Sequence, residues 1–185
     1  DVDLRWYRKL FAIVQQDVEI FDATLEENIK YPYPDATPEE VGEAVEAAHL
    51  KAAAENKDKF PSGLKTEVGE RGVRLSGGEK QRVGIARAYL ALLKGAKVLL
   101  LDEATSDLDS EAEAAIQKMI GELQKRQSVT IAVIAHRLST IKRADVIYVI
   151  SDGKVAEQGD HARLVQRNGL YARLVELQKL GDIRE

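Results

Sequence analysis

Three short apolar runs, separated by long helical patterns, constrain the fold of this chain more than any other feature. They extend from Phe11 to Val14, from Val98 to Leu101 and from Val129 to Ala135. The run from Val98 to Leu101 is continuously apolar, which is typical of strands buried on both faces, as parallel strands are, and the other two runs are also predicted to be buried strands. Because helical patterns lie between the runs, the sequence predicts an α/β fold with a parallel sheet.

Helix-start signals and one turn signal complete the predicted element order. Capping boxes begin at Thr37, Ser76 and Ser110, and a further capped helix begins at Asp160. The helix after Thr37 is predicted to place five apolar residues on one face: Val41, Ala44, Val45, Ala48 and Ala52. The sequence SDG at residues 151–153 predicts a β-hairpin between the apolar stretches 146–150 and 154–157. Residues 24–75 are helix-rich and are predicted to form an inserted subdomain.

Composition excludes several classes of protein. The chain has no cysteine, which excludes disulfides and thiolate metal sites, and its three histidines are too widely spaced for a metal-ligand pattern. A net charge of −4 argues against a nucleic-acid partner. The apolar runs are far shorter than the roughly 18 residues of a membrane span, so any membrane link is expected to come through a partner or a further part of the chain.

Polar residues follow each predicted strand, at the edge where open α/β sheets bind ligands. Gln16 follows the first strand, Asp102 and Glu103 follow the second, and His136 follows the third. Asp102 could bind Mg²⁺ directly or through water, and Glu103 could orient or deprotonate an attacking water. His136 could hydrogen-bond a terminal phosphate oxygen, while Gln16 could sense the metal or the water. Taken singly, each residue is also compatible with a helix cap, a solvated turn or a locally bonded side chain.

The helix predicted after Ser76 begins with two glycines, Gly77 and Gly78, a start that suits an anion such as phosphate. Ser76 and Glu79 also form a good capping box, which is the structural alternative. No G-x-x-x-x-G-K-S/T phosphate loop occurs in the 185 residues. The helix start therefore raises the question of whose phosphate it would contact.

Three motifs together resemble the ATP-binding domain of ABC transporters. They are LSGGEKQR from Leu75, VLLLDEATSDLD from Val98 and AHRLST from Ala135, in the family's order and at about its spacing. The reading DEATS looks like an exporter ATPase, whereas the soluble translation-factor branch usually reads DEPT there. The resemblance covers essentially the whole chain.

The resemblance implies a role for each matching residue. Gln16 would be the Q-loop glutamine, active in catalysis and Mg²⁺ binding, with Gln15 as the alternative register. Asp102 would be the Walker B aspartate that binds Mg²⁺, Glu103 the catalytic glutamate and His136 the switch histidine. Four residues would contact the ATP held by a partner domain: Ser76, Gly77 and Gly78 of the signature motif, and Asp109 of the D-loop.

The resemblance also implies an architecture and partners. The fold would be a RecA-like P-loop NTPase core with a partial parallel sheet and an inserted α-helical signature subdomain. Residues 1–23 would carry a core strand and the Q-loop, residues 24–90 the helical subdomain, and residues 91–185 the rest of the core. The domain would bind ATP and Mg²⁺, pair head to tail with a second ABC ATPase domain, and drive export at the cytoplasmic face of a membrane. It would contact transmembrane domains through the stretch from Thr66 to Gly72 and through the Q-loop region.

Two departures from the family pattern carry expectations of their own. Asp107 stands where the family more often has alanine, and a modest effect on pairing or turnover is expected. The adenine-stacking aromatic residue and the phosphate loop would lie before Asp1. The chain is therefore expected to be part of a longer polypeptide, or to sit beside a second chain that supplies the missing part. Alone it should bind ATP poorly and be inactive.

Two other functions are compatible with parts of the pattern. The chain could be a non-catalytic pairing module that donates its signature motif in trans. It could also be a soluble DNA-repair or chromosome ATPase, which the absence of a long heptad segment and the acidic charge disfavour.

Overall fold

The computed structural model describes residues 3–102, 120–121, 129–134 and 141–181, and a parallel sheet within them confirms the predicted α/β fold. The strands are β1 (Phe11–Val14), β2 (Val98–Asp102) and β3 (Thr130–Ile134), in the order β1-β2-β3. Val14 pairs with Leu101, and Asp102 pairs with Ile134. All three strands coincide with the apolar runs of the sequence, but the predicted burial is wrong for β3, which is mostly exposed.

Five α-helices lie between the first residues described and β2. They are α1 (Leu4–Lys9), α2 (Leu25–Lys30), α3 (Pro38–Ala47), α4 (Lys51–Glu55) and α5 (Gly77–Leu93), with two 3₁₀ turns at Gly63–Lys65 and Glu70–Gly72. Capping boxes start α2 at Thr24, α3 at Thr37 and α5 at Ser76. In each box the side chain at the cap accepts from a backbone N–H three residues on, and the glutamate there accepts from the cap's own N–H, so two otherwise unpaired donors are satisfied.

The predicted extent of α3 is wrong at its C-terminal end. Val41, Ala44, Val45 and Ala48 are buried as expected, but the helix stops at Ala47 and Ala52 is exposed in α4. His49 has a φ of 52°, a left-handed conformation that interrupts a right-handed helix. The apolar period continues past this break, and for that reason periodicity alone did not reveal it.

One face of the sheet packs against α5. Ala12 and Val14 of β1 and their cross-strand partners Leu99 and Leu101 of β2 are all buried, and they share a core with the inner face of α5. The contact fixes α5 beside β1. The position of the α5 N-terminus is therefore set relative to the sheet.

The backbone contacts divide the chain into two compact units, residues 1–134 and 135–185. In the second unit β4 (Ile147–Ser151) and β5 (Lys154–Gly159) form the predicted hairpin, with positive φ at Asp152 and Gly153 in the turn. Helices α6 (His161–Gln166) and α7 (Leu170–Gly181) follow, and the core of this unit contains Ile147, Val149, Leu164, Tyr171 and Val175. The helix predicted from Ser110 lies outside the described residues. The division at residues 23 and 90 stays a prediction.

Among the helices that the structure describes, none combines the length and the apolar character needed to cross a bilayer.

Candidate functional site

The carboxyl ends of β1 and β2 bring two predicted site residues to one edge of the sheet. Asp102 is the last residue of β2 and is exposed, while Gln16 is exposed in the bend two residues after β1 ends. Val14 pairs in parallel with Leu101, so Asp102 and the Gln15–Gln16 pair leave neighbouring strands side by side. A carboxylate and an amide oxygen at such an edge are groups that Mg²⁺ accepts as ligands.

The remaining strand-end residues lie outside the described residues. Glu103 directly follows Asp102, and His136 comes two residues after Ile134, the last residue of β3. Asp109 and Asp107 also fall in the part of the chain that is not described. Their roles stay predictions.

The N-terminus of α5 is capped by side chains and has open space beside its first backbone N–H groups. The Ser76 hydroxyl oxygen accepts from the Glu79 N–H at 3.3 Å, and the Glu79 carboxylate accepts from the Ser76 N–H at 2.6 Å. Gly77 and Gly78 carry the next N–H groups, which in any α-helix have no partner within the helix. A Cβ built on Gly77 would meet no heavy atom within 4 Å, so the space beside this backbone is open to an approaching group.

An ion pair anchors this helix start to the segment after α4. The Lys59 ammonium lies 2.5 Å from Oε2 of Glu79, the same oxygen that accepts from the Ser76 N–H. Burial raises the pKa of the Glu79 carboxyl, but the bonds from Lys59 and Ser76 outweigh burial, and the net pKa lies below its ordinary value. Glu79 is therefore held as a carboxylate and keeps the capping box closed.

A groove of about 170 Å³ lies in the first compact unit, beside the segment that carries Gln16. Phe21 and Tyr31 stack in it with ring centroids 4.3 Å apart, and the Arg87 guanidinium lies 5.6 Å and 5.7 Å from the two rings. Tyr31 is 61% exposed although it is a large aromatic residue. The groove combines apolar rings with a cation whose pKa is lowered by burial.

A polar network that the sequence analysis missed holds this groove together. Asn28 is 1% exposed, and its amide oxygen accepts from the Phe21 N–H and from Arg87 Nη2, both at 2.9 Å. Its amide nitrogen donates to the carbonyls of Phe21 and Thr24, both at 3.0 Å. The partners are up to 59 residues apart, so no local pattern could have shown them. The only hint of this network in the sequence is an asparagine at a position of a capped helix where an apolar residue is expected.

The stretch 66–72 forms a loop with a buried base and an exposed tip. Thr66 and Val68 are buried and bond across an isolated bridge: the Thr66 carbonyl accepts from Leu25 N–H and the Val68 N–H donates to Ala23, both at 3.0 Å. Glu70 and Arg71 at the tip are exposed. The loop is thus fixed at one end and presents charged side chains at the other.

Comparisons with known proteins agree on one family. The family model described as ABC transporter matches residues 2–106. The chain is 49% identical over 178 residues to an uncharacterised ABC transporter ATP-binding protein of Bacillus subtilis, and 50% identical over 179 residues to an ATP-dependent lipid A-core flippase of Vibrio vulnificus. Each match covers 96% of this chain but only 30% and 29% of those proteins, so the chain spans about three tenths of their length.

A solved structure gives the same result for the fold. A bacterial Atm1-family ABC exporter with ATP bound matches with a TM-score of 0.83 and 42% identity, over 92% of this chain and 28% of that one. The predicted exporter-type resemblance and the predicted RecA-like P-loop NTPase fold are therefore confirmed. On the sequence match and the shared fold, this chain belongs to the ABC transporter family and corresponds to the ATP-binding domain of its exporter-type members.

Proposed function

We propose that this chain is part of an ATPase domain that powers export across a membrane, and that its α5 N-terminus contacts ATP held by a second ABC ATPase domain. The observation that carries the proposal is the open start of α5, where Gly77 leaves room for a group to reach the backbone N–H groups. Relatives that carry ATP-binding or ATP-dependent in their names support the choice of nucleotide.

The argument for a partner's nucleotide is energetic. A helix N-terminus contributes about 0.3–1 kcal/mol to anion binding when exposed and up to about 2 kcal/mol when partly buried. No phosphate loop of the G-x-x-x-x-G-K-S/T type occurs in the chain's sequence. The N–H groups of Gly77 and Gly78, with Ser76 and Asp109, therefore serve as the second half of a site whose cradle another domain provides.

The sheet edge is the proposed Mg²⁺ site. Asp102 supplies a carboxylate, and Gln16 an amide oxygen, from neighbouring strand ends. Mg²⁺ usually takes only one or two carboxylates from a protein together with phosphate oxygens and waters, so this donor set fits the ion. When bound, the ion supplies positive charge against the phosphates and the leaving oxygen.

The residues after β2 and β3 carry the proposed chemistry of hydrolysis. Glu103 directly follows Asp102, the proposed metal ligand, in sequence. In this proposal it orients the attacking water and accepts its proton. His136 donates a hydrogen bond to a terminal phosphate oxygen and so opposes the charge that grows there during in-line attack. Gln16 positions the water, or it binds the metal and so makes the conformation of its own segment depend on whether the metal is bound.

Transmembrane domains are the proposed second partner, placing this domain at the cytoplasmic face of a membrane. The exposed Glu70–Arg71 tip of loop 66–72 and the exposed Tyr31 of the neighbouring groove offer charged and aromatic contacts. Backbone hydrogen bonds of Thr66 and Val68 hold the loop, and the buried Asn28 side chain holds the groove through its bonds to the Phe21 backbone. Because these bonds anchor both features, they are suited to transmit force.

A second candidate function is a non-catalytic pairing module. It needs only the open start of α5, since a chain that only donates its signature motif requires no phosphate loop or general base of its own. The two candidates assign different importance to Glu103, and that difference can be measured.

The test compares Glu103→Gln and Gly77→Ala in the natural protein that contains this chain, paired with its partner domain. For the ATPase proposal we expect Glu103→Gln to lower turnover by at least about a hundredfold while nucleotide binding persists, and Gly77→Ala to lower it by a similar factor because its methyl group blocks the helix start. Gly42→Ala, the same change at an open position of α3, should leave turnover unaltered.

The pattern of effects separates the candidates. Loss only in Gly77→Ala, with wild-type turnover in Glu103→Gln, identifies the pairing module. Wild-type turnover in both variants contradicts the two candidates together.

A further inference from the structure

Lys59 brings a positive charge to the start of α5 from a different segment of the chain. Its Nζ lies 2.5 Å from Oε2 of Glu79, and the same oxygen accepts from the Ser76 N–H at 2.6 Å. One carboxylate oxygen is thus shared between a side-chain cation and the backbone at the helix cap. Gly77 and Gly78, which the proposed function places against phosphate, follow Ser76 directly, so the shared oxygen lies next to that backbone.

The segment that carries Lys59 is itself fixed. The next residue, Phe60, is 1% exposed and belongs to the core of the first unit. The N–H groups of Lys59 and Phe60 donate to the Asn56 carbonyl at 3.2 Å and 2.7 Å, and the Phe60 carbonyl accepts from the Gly63 N–H at 2.9 Å. The Lys59 ammonium also lies 5.7 Å from the centre of the Phe60 ring, within the range of a cation–π contact. The ammonium therefore loses little conformational freedom when it pairs with Glu79.

The charges at this helix start determine how an anion is received. Glu79 is held as a carboxylate by its lowered pKa. A negative charge in the first turn favours the helix, but it repels a phosphate that approaches the same N–H groups. The side chains of Glu79 and Lys59 are only 16% and 36% exposed, so water and salt screen them less than they screen a fully exposed pair. Because the pair is neutral as a whole, the capping box is retained without the repulsion.

Building on the proposed function, we propose that Lys59 is a positioning residue for the partner's ATP. It acts through Glu79 in two ways. It holds this carboxylate on the Ser76 N–H, and it cancels the negative charge that would otherwise face the terminal phosphate. Lys59 itself needs no contact with the phosphate. It sets how readily the start of α5 closes on a nucleotide that another domain holds.

The test is a double-mutant cycle of Lys59→Met and Glu79→Gln in the natural protein with its partner domain. Methionine keeps an apolar stem like that of lysine and removes the charge. We expect Lys59→Met to weaken ATP-dependent association with the partner, and to raise the KM for ATP, by about fivefold, the upper size of a single-charge effect at an exposed helix N-terminus. The kcat should change little, because an unpaired carboxylate opposes the phosphate equally before and during the reaction.

Adding Glu79→Gln should reverse most of this loss. The double variant carries no charge at either position, so we expect its association to return to within about twofold of wild type, a coupling that two independent sites would not show. Lys59→Arg keeps the charge and should also remain close to wild type. Lys57→Met removes an exposed lysine from the same segment, so it is the matched control for the change in net charge and should have no effect.

A purely structural role predicts different results. An ion pair that only stabilises the helix would, when lost, lower the amount of active protein and leave the KM unchanged, and the double variant would be no better than Lys59→Met. Salt separates the two roles further, since high salt should shrink the effect of Lys59→Met if it arises from charge. Unchanged association in Lys59→Met, or a loss that Glu79→Gln does not relieve, would overturn the inference.

Hydrogen exchange in the nucleotide-free protein tests Lys59 independently of the proposed function. The Ser76 amide donates to the Glu79 carboxylate and should exchange faster in Lys59→Met but not in Lys57→Met. Unchanged exchange at Ser76 contradicts the inference whether or not the protein is an ATPase. Absence of ATP-dependent association in the wild type contradicts the proposed function, while faster exchange in Lys59→Met still supports the anchoring of Glu79.

Discussion

Asn28 makes more polar contacts than the sequence around it would suggest. Its side chain makes four hydrogen bonds while 1% exposed, and one of them reaches Arg87 of α5. Arg87 also donates from Nε to the Asn28 carbonyl at 2.7 Å. A buried network of this kind stabilises only while every member is satisfied, because an unpaired polar group in a low-dielectric interior is costly.

Asn28→Ala is therefore expected to lower the free energy of unfolding by about 2–4 kcal/mol. The variant leaves the Phe21 N–H and carbonyl without their side-chain partner and removes the Arg87 Nη2 acceptor. Urea unfolding followed by circular dichroism measures the change. Asn28→Asp is the informative companion, because it keeps the acceptor for Arg87 but turns a second oxygen toward two carbonyls. A cost below about 1 kcal/mol for Asn28→Ala would mean that water replaces the lost bonds.

The start of α5 gives a prediction for the effect of pH at the scale of an element. The pKa of Glu79 is lowered in the folded protein, relative to an ordinary value of 4.5, because the bonds from Lys59 and Ser76 outweigh burial. A carboxyl with a lowered folded pKa binds fewer protons when folded, so its contribution is complete above the unfolded pKa and is lost as pH falls through the folded one.

Glu79→Gln keeps an acceptor for the capping box and removes the charge. We expect the wild type to be more stable than this variant at pH 7, and the difference to shrink as pH falls below about 4.5. Unfolding free energies measured between pH 7 and 3.5 provide the comparison. High salt should reduce the difference at pH 7, since part of it is an ion pair. A difference that stays constant across this range would show that the charge of Glu79 does not stabilise the helix start.

Elements that depend on local chemistry were predictable, and those that depend on distant contacts were not. The strands followed from short apolar runs, and the starts of α3, α5 and α6 from capping residues. The end of α3 depends on the left-handed conformation of His49, which the apolar period does not reveal. The contact of Gln81 with Gln15 joins residues 66 positions apart, so only the fold could reveal it.

On the scale of the whole molecule, the sequence predicted that Gln16 and Asp102 share one edge of the sheet, while the roles of the site residues stay predictions. Parallel strands end at a common edge, and this topological rule brought Gln16 and Asp102 together without any coordinates. The contacts that hold these segments together could not be predicted in this way. They consist of side-chain donors that reach main-chain carbonyls, as Arg87 does at Glu19, and main-chain acceptors have no signature in a sequence.

The proposed division of the nucleotide site between this chain and a partner domain leads to a prediction about nucleotide binding. A helix start supplies at most about 2 kcal/mol, whereas micromolar affinity requires about 8 kcal/mol. Calorimetry should therefore detect negligible Mg-ATP binding to the 185-residue chain alone, and tighter binding once an ABC ATPase domain with an intact phosphate loop is added. Gly77→Ala should abolish the gain because its methyl group fills the open space beside the helix start. Micromolar binding by the chain alone would place a complete phosphate site within these residues and contradict the shared-site proposal.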